Sequence, residues 1–280
     1  MLNYKIISSD LDGTLLDSHG EVSDENLAAI QKMTEMGVFF IPSSGRTLGE
    51  IPACVRNIEG ARYIICADGA VIYDAKAKKP IDTRTMKGES VRRALDIFYS
   101  YEALLTVRAN GVLYVAADEQ REEIYDSYRM PPSYQQAMLT LAAPISDFKD
   151  FCYGLDEIEM ICTFFKYDGE LADCRRRFLS DGAYGVAASE VTNIELFDKE
   201  AGKGNALWRL ADILGIPREE TIAVGDNVND LDNLSHAGLA LAMGNAVGEV
   251  KRVAHQTICH NDAHAMNYIL ENILKNEVSQ

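Results

Sequence analysis

Two carboxylates, Asp10 and Asp12, stand one residue apart at the end of a short apolar run, Lys5-Ile6-Ile7-Ser8-Ser9. The run is too short for a helix and reads as a buried strand. Side chains alternate along a strand, so the two acids face opposite sides if the strand simply continues. Gly13 lets the backbone turn, and both acids can then address one spot at the strand's carboxyl end. Crowded acids repel each other unless a cation sits between them. A hard divalent ion such as Mg²⁺ takes oxygen ligands of this kind. Asp and Gly are also ordinary turn residues, so the pair alone leaves both readings open.

Three more clusters carry chemistry, each at the end of a run that reads as a strand or at the start of a helix. Ser43-Ser44-Gly45-Arg46 follows Val38-Phe39-Phe40-Ile41. A hydroxyl-and-glycine turn ahead of a helix offers N–H groups to an anion, although such turns are common. Lys203-Gly204 opens a helix, where a lysine opposes the helix dipole. That misfit points to a task such as neutralising a phosphate, with a solvated surface lysine as the ordinary alternative. Gly225-Asp226-Asn227-Val228-Asn229-Asp230 ends the run Thr221-Ile222-Ala223-Val224. Asp226 and Asp230 lie four apart, so the first can hold a metal and the second orient the site. A polar turn capping the next helix is the plainer reading, but capping needs only one such residue.

The elements that position these clusters alternate. A strand through Ile7 is followed by a helix from Ser23-Asp24 to Gly37, a strand at 38–41, a helix over about 48–58 and a strand at 63–66. That rhythm predicts parallel pairing with right-handed crossovers. Val71-Ile72-Tyr73 reads as one arm of a small hairpin. From about Thr83 the rhythm changes. A helix over 89–101 precedes two runs joined through Asn110-Gly111, which predicts an antiparallel hairpin. Helices over about 119–129, 146–154 and 170–180 follow, with a Pro-containing loop at 130–132 and strands at 158–166, 184–188 and 193–197. From about Ala201 the parallel rhythm returns, with helices at 204–214, 230–236, 247–254 and 263–275 and strands at 221–224 and 239–242. The expected fold is α/β: a doubly wound, Rossmann-like parallel sheet, residues 1–82 and 190–280, with an inserted α+β domain at 83–189.

Composition narrows the partners. Lys and Arg number 27 against 43 Asp and Glu, a formal charge of −16. Nucleic acid and anionic membrane both need positive surface, so neither is expected as a partner. An anionic small substrate stays open, because a metal and a few local cations can hold a phosphate. The six cysteines are scattered without a CxxC pair, which predicts free thiols in a reducing cytosol and no zinc site. No apolar run approaches membrane-spanning length, and the few residues ahead of the first strand leave no room for a signal peptide. A cytoplasmic protein is expected.

Taken together, Asp10-Leu11-Asp12-Gly13-Thr14, Ser44-Gly45-Arg46, Lys203-Gly204 and Gly225-Asp226-Asn227-Val228-Asn229-Asp230 resemble, in order and character, the motifs of the haloacid dehalogenase superfamily. The inserted module resembles the type two α/β cap of its Cof-like branch. The resemblance implies a Mg²⁺-dependent phosphatase acting on a small phosphorylated metabolite, such as a sugar phosphate. Asp10 would be the nucleophile that forms an aspartyl-phosphate, and Asp12 the general acid and base. Mg²⁺ would sit on Asp10, the Asp12 backbone oxygen and Asp226. Leu11, Ser44, Gly45, Lys203 and Asn229 would hold the phosphoryl oxygens, with Asp230 in support. The cap would close over the site and select the substrate, with the loop at Asn110-Gly111 and the turn at Ser189-Glu190 as candidate determinants. A sugar-phosphate mutase and a phosphate-ligand sensor without turnover are the alternatives. Asp12 favours turnover, since binding alone needs no acid there. The chain departs from the family pattern in Pro42-Ser43-Ser44 for the usual Ala-Thr, Asp68-Gly69 for Asn-Gly, and Asn233 for methionine.

Overall fold

The computed structural model describes residues 3–275. The terminal residues 1–2 and 276–280 of the expected core ranges lie outside the described residues. The chain divides into two compact units. One contains the chain up to Gly45, Ile51–Asp82 and the chain from Gly202. The other contains Arg46–Glu50 and Thr83–Ala201.

The first unit is built on a five-stranded parallel sheet with Ile6–Ser9 near its centre. Phe39–Pro42 pairs on one side, Ile6 opposite Phe39. Thr221–Gly225 pairs on the other, Ile6 opposite Thr221, and Leu239–Ala242 and Gln256–Thr257 extend the sheet outward. The chain thus winds first to one side of its first strand and then to the other. A doubly wound sheet of this kind offers its ligand crevice at the carboxyl ends of the strands. Ile6, Ile7, Ser8 and Ser9 are all fully buried, the pattern of a strand covered on both faces. The helix Asp24–Glu35 is capped by the Ser23 side chain and buries Ala29, Ile30 and Met33. The helix Lys203–Leu214 buries Ala206, Leu207, Leu210 and Ala211 and ends at Gly215 in the left-handed region.

Several sequence expectations shift. The strand Tyr63–Cys66 was expected as a third parallel member of the core sheet. It pairs antiparallel with Val71–Asp74, and a single parallel bridge, Ser43 to Ile65, ties it beside the end of Phe39–Pro42. The helix expected over 48–58 is only Ala53–Arg56, because Pro52 stands at its N-cap and cannot continue a helix from upstream. The closing helix is Ala265–Ile269, which relaxes into a π-helical turn at Leu270–Leu274.

The second unit carries a six-stranded mixed sheet. Ala103–Ala109 and Val112–Ala116 form the expected hairpin. Its turn residues Asn110 and Gly111 both have positive φ, the conformation a two-residue hairpin needs. Met160–Phe165 lies between Ala103–Ala109 and Asn193–Asp198, and Tyr184–Ala187 closes that edge. The expected boundary after residue 189 therefore falls one strand early. Asn193–Asp198 is hydrogen-bonded within this sheet, so residues 190–201 belong to the inserted unit. Residues 46–50 join it too, tied by Gly49 N–H to the Gly111 carbonyl at 3.2 Å. The loop expected at 130–132 opens a helix, Pro132–Thr140, since proline's fixed φ suits the first helical turn. One sheet face packs Leu105, Val107, Ile161, Phe165 and Ile194 against helices that supply Phe98, Cys152 and Phe178.

No helix among the described residues is long and apolar enough to cross a membrane. All six cysteines are free thiols, and burial pushes Cys152, Cys162 and Cys174 each up to about 12.

Candidate active site

The candidate residues gather in the first unit, at the carboxyl end of Ile6–Ser9. Asp10 is the residue after the strand, held by its N–H on the Val224 carbonyl at 3.0 Å. The chain then coils tightly: Thr14 N–H reaches the Leu11 carbonyl and Leu16 N–H does the same. Gly13 makes the coil possible. Its φ is +78°, and a Cβ there would lie 2.6 Å from Asp226 Oδ2. Both the backbone and the close approach of the acid require glycine. Gly13→Ala is expected to lower stability by about 1–3 kcal/mol, read by urea unfolding with an unchanged dependence on denaturant.

Asp10 is buried and Asp12 is exposed. The turn thus gives the two acids different surroundings. Asp226 follows Thr221–Gly225, the neighbouring strand, and accepts from Thr14 Oγ1 at 3.1 Å. Asp230 is fully buried and both its oxygens are engaged. Oδ1 takes Lys203 Nζ at 2.8 Å, and Oδ2 takes the N–H groups of Asp226 and Asn227 at 3.0 and 3.2 Å. Lys203 also reaches Asp10 Oδ1 at 2.6 Å. Asp10, Asp226 and Asp230 offer carboxylate oxygens that all lie within 4.8 Å of one another.

Electrostatics follow from this crowding. Burial pulls the Lys203 ammonium towards neutrality, but Asp10 and Asp230 win and hold it well above the usual lysine range. Burial pushes the Asp10 carboxyl well above its ordinary value, and Asp230 and Asp226 add to the push while Lys203 opposes it. Burial and Asp230 push Asp226 up to about 6, against the pull of Thr14 and Lys203. One lysine faces three carboxylates, so the cluster has negative charge to spare.

The lysine that opposed its helix dipole is thus explained. It is 1% exposed and serves two acids rather than the helix. The next helical N–H, at Gly204, finds a partner in Asp232 Oδ2 at 2.8 Å.

Ser44 and Gly45 are placed by backbone. Ser43 N–H bonds the Ser9 carbonyl at 2.8 Å, which sets this turn beside Asp10. Leu11 is fully buried between Asp10 and Asp12. Asn229 precedes Asp230, and its buried Oδ1 has no hydrogen-bond partner.

Two departures from the family pattern find physical roles. Asp68 sits in the left-handed region at φ 48° and is 2% exposed. Its N–H bonds the Ser44 carbonyl at 3.1 Å and its carbonyl accepts from Gly202 N–H at 2.7 Å. It therefore straps the Ser44 turn to the Lys203 helix, and its charge helps keep Lys203 protonated. Asn233 is fully buried and pairs with Ser8, its Nδ2 donating to Oγ at 3.1 Å. A polar strand residue here faces a polar helix residue, so each buried polar group finds its partner in the other. Sequence reasoning missed these links, and it missed Asn245, which donates to the Gly13 carbonyl at 2.7 Å. Only Thr14 carried a signal, as a hydroxyl beside the glycine turn.

A buried lysine among carboxylates at the carboxyl ends of a doubly wound sheet defines an enzyme that handles an anionic group. The chain belongs to the haloacid dehalogenase-like hydrolase family, whose model matches residues 7–270. It is 30% identical over 294 residues to phosphatase YwpJ of Bacillus subtilis, spanning 96% of this chain and 100% of that protein. It is 27% identical over 289 residues to 5-amino-6-(5-phospho-D-ribitylamino)uracil phosphatase YwtE of the same organism, spanning 98% and 99%. A solved haloacid dehalogenase-like hydrolase from B. subtilis matches with a TM-score of 0.82 at 28% identity, covering 96% of this chain and 100% of that one. The resemblance to the Cof-like branch holds, and the chain is a phosphatase acting on a phosphorylated substrate.

Proposed function

We propose that this phosphatase hydrolyses a small phosphorylated metabolite, such as a sugar phosphate, with Mg²⁺ and through an aspartyl-phosphate on Asp10. The observation that carries the reading is the buried Lys203 ammonium held between Asp10 and Asp230. It fixes a nucleophilic carboxylate beside a permanent positive charge. An ammonium has three N–H donors, and two are committed to the acids, which leaves one for a phosphoryl oxygen.

The donor set fits a hard cation. The oxygens are carboxylates, they converge within 4.8 Å, and burial has raised the proton affinity of Asp10 and Asp226, as expected of acids awaiting a positive partner. Asp10, Asp226 and the Asp12 carbonyl would hold Mg²⁺. Asp230 would not, since both its oxygens are already engaged. Bound Mg²⁺ supplies positive charge against which an anionic phosphoryl group can meet an anionic nucleophile.

The residues then divide the work. An Asp10 oxygen bonds phosphorus as the bond to the leaving oxygen breaks, and Asp12 gives that oxygen a proton. Water then attacks the phosphorus of the aspartyl-phosphate, Asp12 takes the proton back, and inorganic phosphate departs. Lys203, Ser44, Asn229 and the N–H groups of Leu11 and Gly45 hold the phosphoryl oxygens throughout. Asp12's exposure suits a residue that must exchange protons with substrate and water. The free thiols fit a cytoplasmic enzyme.

The test is phosphate release from p-nitrophenyl phosphate and a panel of metabolite phosphates, with Mg²⁺ and with EDTA. Activity is expected with Mg²⁺ and abolished by EDTA; undiminished activity in EDTA would remove the metal from the mechanism. The pH dependence has a definite sign. Asp226 is raised in the folded state to about 6, so the metal-free fold gains a proton relative to the unfolded chain between the ordinary aspartate value and pH 6. Its contribution to stability falls as pH rises through that window. Mg²⁺ competes with the same proton, so its stabilising shift of the melting temperature should be small well below about pH 6 and large well above it.

A further inference from the structure

Asp12 lies on the exposed side of its turn, and the backbone on either side of it decides where its carboxylate starts from. Upstream that backbone is secure. Leu11 is fully buried, and the Asp10 N–H is bound to the Val224 carbonyl. Downstream stands Gly13, at φ +78°. The turn requires glycine, yet glycine is also the residue whose flanking peptides rotate most freely. Two asparagines from late in the chain hold this joint. Asn245 Nδ2 donates to the Gly13 carbonyl at 2.7 Å, and Asn245 Oδ1 accepts from the Asn261 N–H at 3.0 Å. Asn261 is 8% exposed and donates from Nδ2 to the Leu16 carbonyl at 3.0 Å. The pair therefore grips both ends of the coil from Gly13 to Leu16.

Residues 243–247, which carry Asn245, are tied in turn to the strand end that carries Asp226. The Met243 N–H bonds the Gly225 carbonyl at 3.0 Å, and the Val247 N–H bonds the Asp226 carbonyl at 2.9 Å. Asn245 thus sets the Asp12 turn against the backbone of Asp226. Its carboxamide meets backbone at both ends, so it acts on the chemistry through the turn. We infer that Asn245 is a positioning residue for Asp12: by holding the Gly13 carbonyl it aims the acid that protonates the leaving oxygen, with Asn261 as its support. A general acid contributes about 10²–10⁴-fold, and only within hydrogen-bond reach of the atom it protonates. A misplacement of about 1 Å can forfeit about 10²-fold. The inference rests on the reading of Asp12 as general acid and base, and adds to it the residues that keep Asp12 in register.

The experiment compares kcat/KM of wild type, Asn245→Ala, Asp12→Asn and the double variant on p-nitrophenyl, phenyl and benzyl phosphate, all with Mg²⁺. These esters are similar in size, and their leaving groups need a proton to an increasing degree. An acid out of place therefore costs least on the first and most on the last. Asn245→Ala should lower kcat/KM about 10–10²-fold on benzyl phosphate, with a loss at least about fivefold smaller on p-nitrophenyl phosphate. Asp12→Asn should show the same order with larger losses. The double variant should be no worse than Asp12→Asn alone, since no acid is then left to aim. Equal losses on the three esters, no loss on any, or losses that multiply in the double variant would reduce Asn245 to a staple of the fold and overturn the inference. If Asn245→Ala melts early, Asn261→Ala should carry the same order of losses at smaller size, and its absence overturns the inference. An Asp12→Asn variant that loses equally on all three esters sinks the acid reading beneath it, whatever Asn245 does.

Discussion

Asp10→Asn should abolish turnover and at the same time stabilise the metal-free protein. The kinetic half follows from chemistry: an amide is no nucleophile towards phosphorus, so phosphate release should fall by at least about 10⁴-fold. The stability half follows from the environment. Asp10 is buried beside Asp226 and Asp230, and its carboxyl is raised well above the ordinary value. For an acid raised in this way, ionisation favours the unfolded chain. Stability is therefore highest at low pH and declines as pH climbs from the unfolded value through the folded one. At pH values above the ordinary aspartate range the wild type bears a penalty that grows with pH, and a neutral asparagine removes it while still accepting from Lys203. Thermal melting in EDTA should thus place Asp10→Asn above wild type at neutral pH, with the gap closing in acid. A variant less stable than wild type in EDTA would mean that the Lys203 bond outweighs the crowding, and activity that survives in pure protein would remove Asp10 as nucleophile.

The same crowding explains why the site was legible in the sequence and its supports were not. Asp10, Asp12, Lys203, Asp226 and Asp230 announce themselves because acids at strand ends and a lysine at a helix start each break a local rule, and local rules are what a sequence displays. Asp230's grip on the Asp226 and Asn227 N–H groups follows from its spacing alone. Asp68 is different. Its carboxylate was visible, but its strap from Ser44 to Gly202 joins three distant stretches through backbone, which leaves no side-chain pattern. Ser8 and Asn233 are 225 residues apart, and each alone looks like a minor misfit. In the fold, alternation and turn residues located the core strands and the hairpin at Asn110-Gly111. Long-range pairing defeated the same reasoning at residues 46–50, part of which was expected to open a helix. There Glu50 is drawn to Arg108, 58 residues away. The module boundary failed for a related reason: Asn193–Asp198 reads as a strand in either unit, and only its partners decide.

Lys203→Met should cost both catalysis and the fold, and the two losses can be separated. Methionine fills the volume but leaves Asp10 and Asp230 facing each other in a buried site without their shared cation. Removing one partner of a buried ion cluster typically costs about 3–5 kcal/mol, because the remaining charges stay desolvated and unpaired. Turnover should also fall by about 10²–10³-fold or more, since a donor to the developing phosphoryl charge is lost. Adding Asp230→Asn to Lys203→Met removes one of the stranded charges. Its amide can still engage the backbone near Asp226. The double variant should therefore regain much of the stability by urea unfolding while remaining inactive. Additive losses in the double variant would show that Asp230 works chiefly through the N–H groups of Asp226 and Asn227, and that Lys203 owes its burial to Asp10 alone.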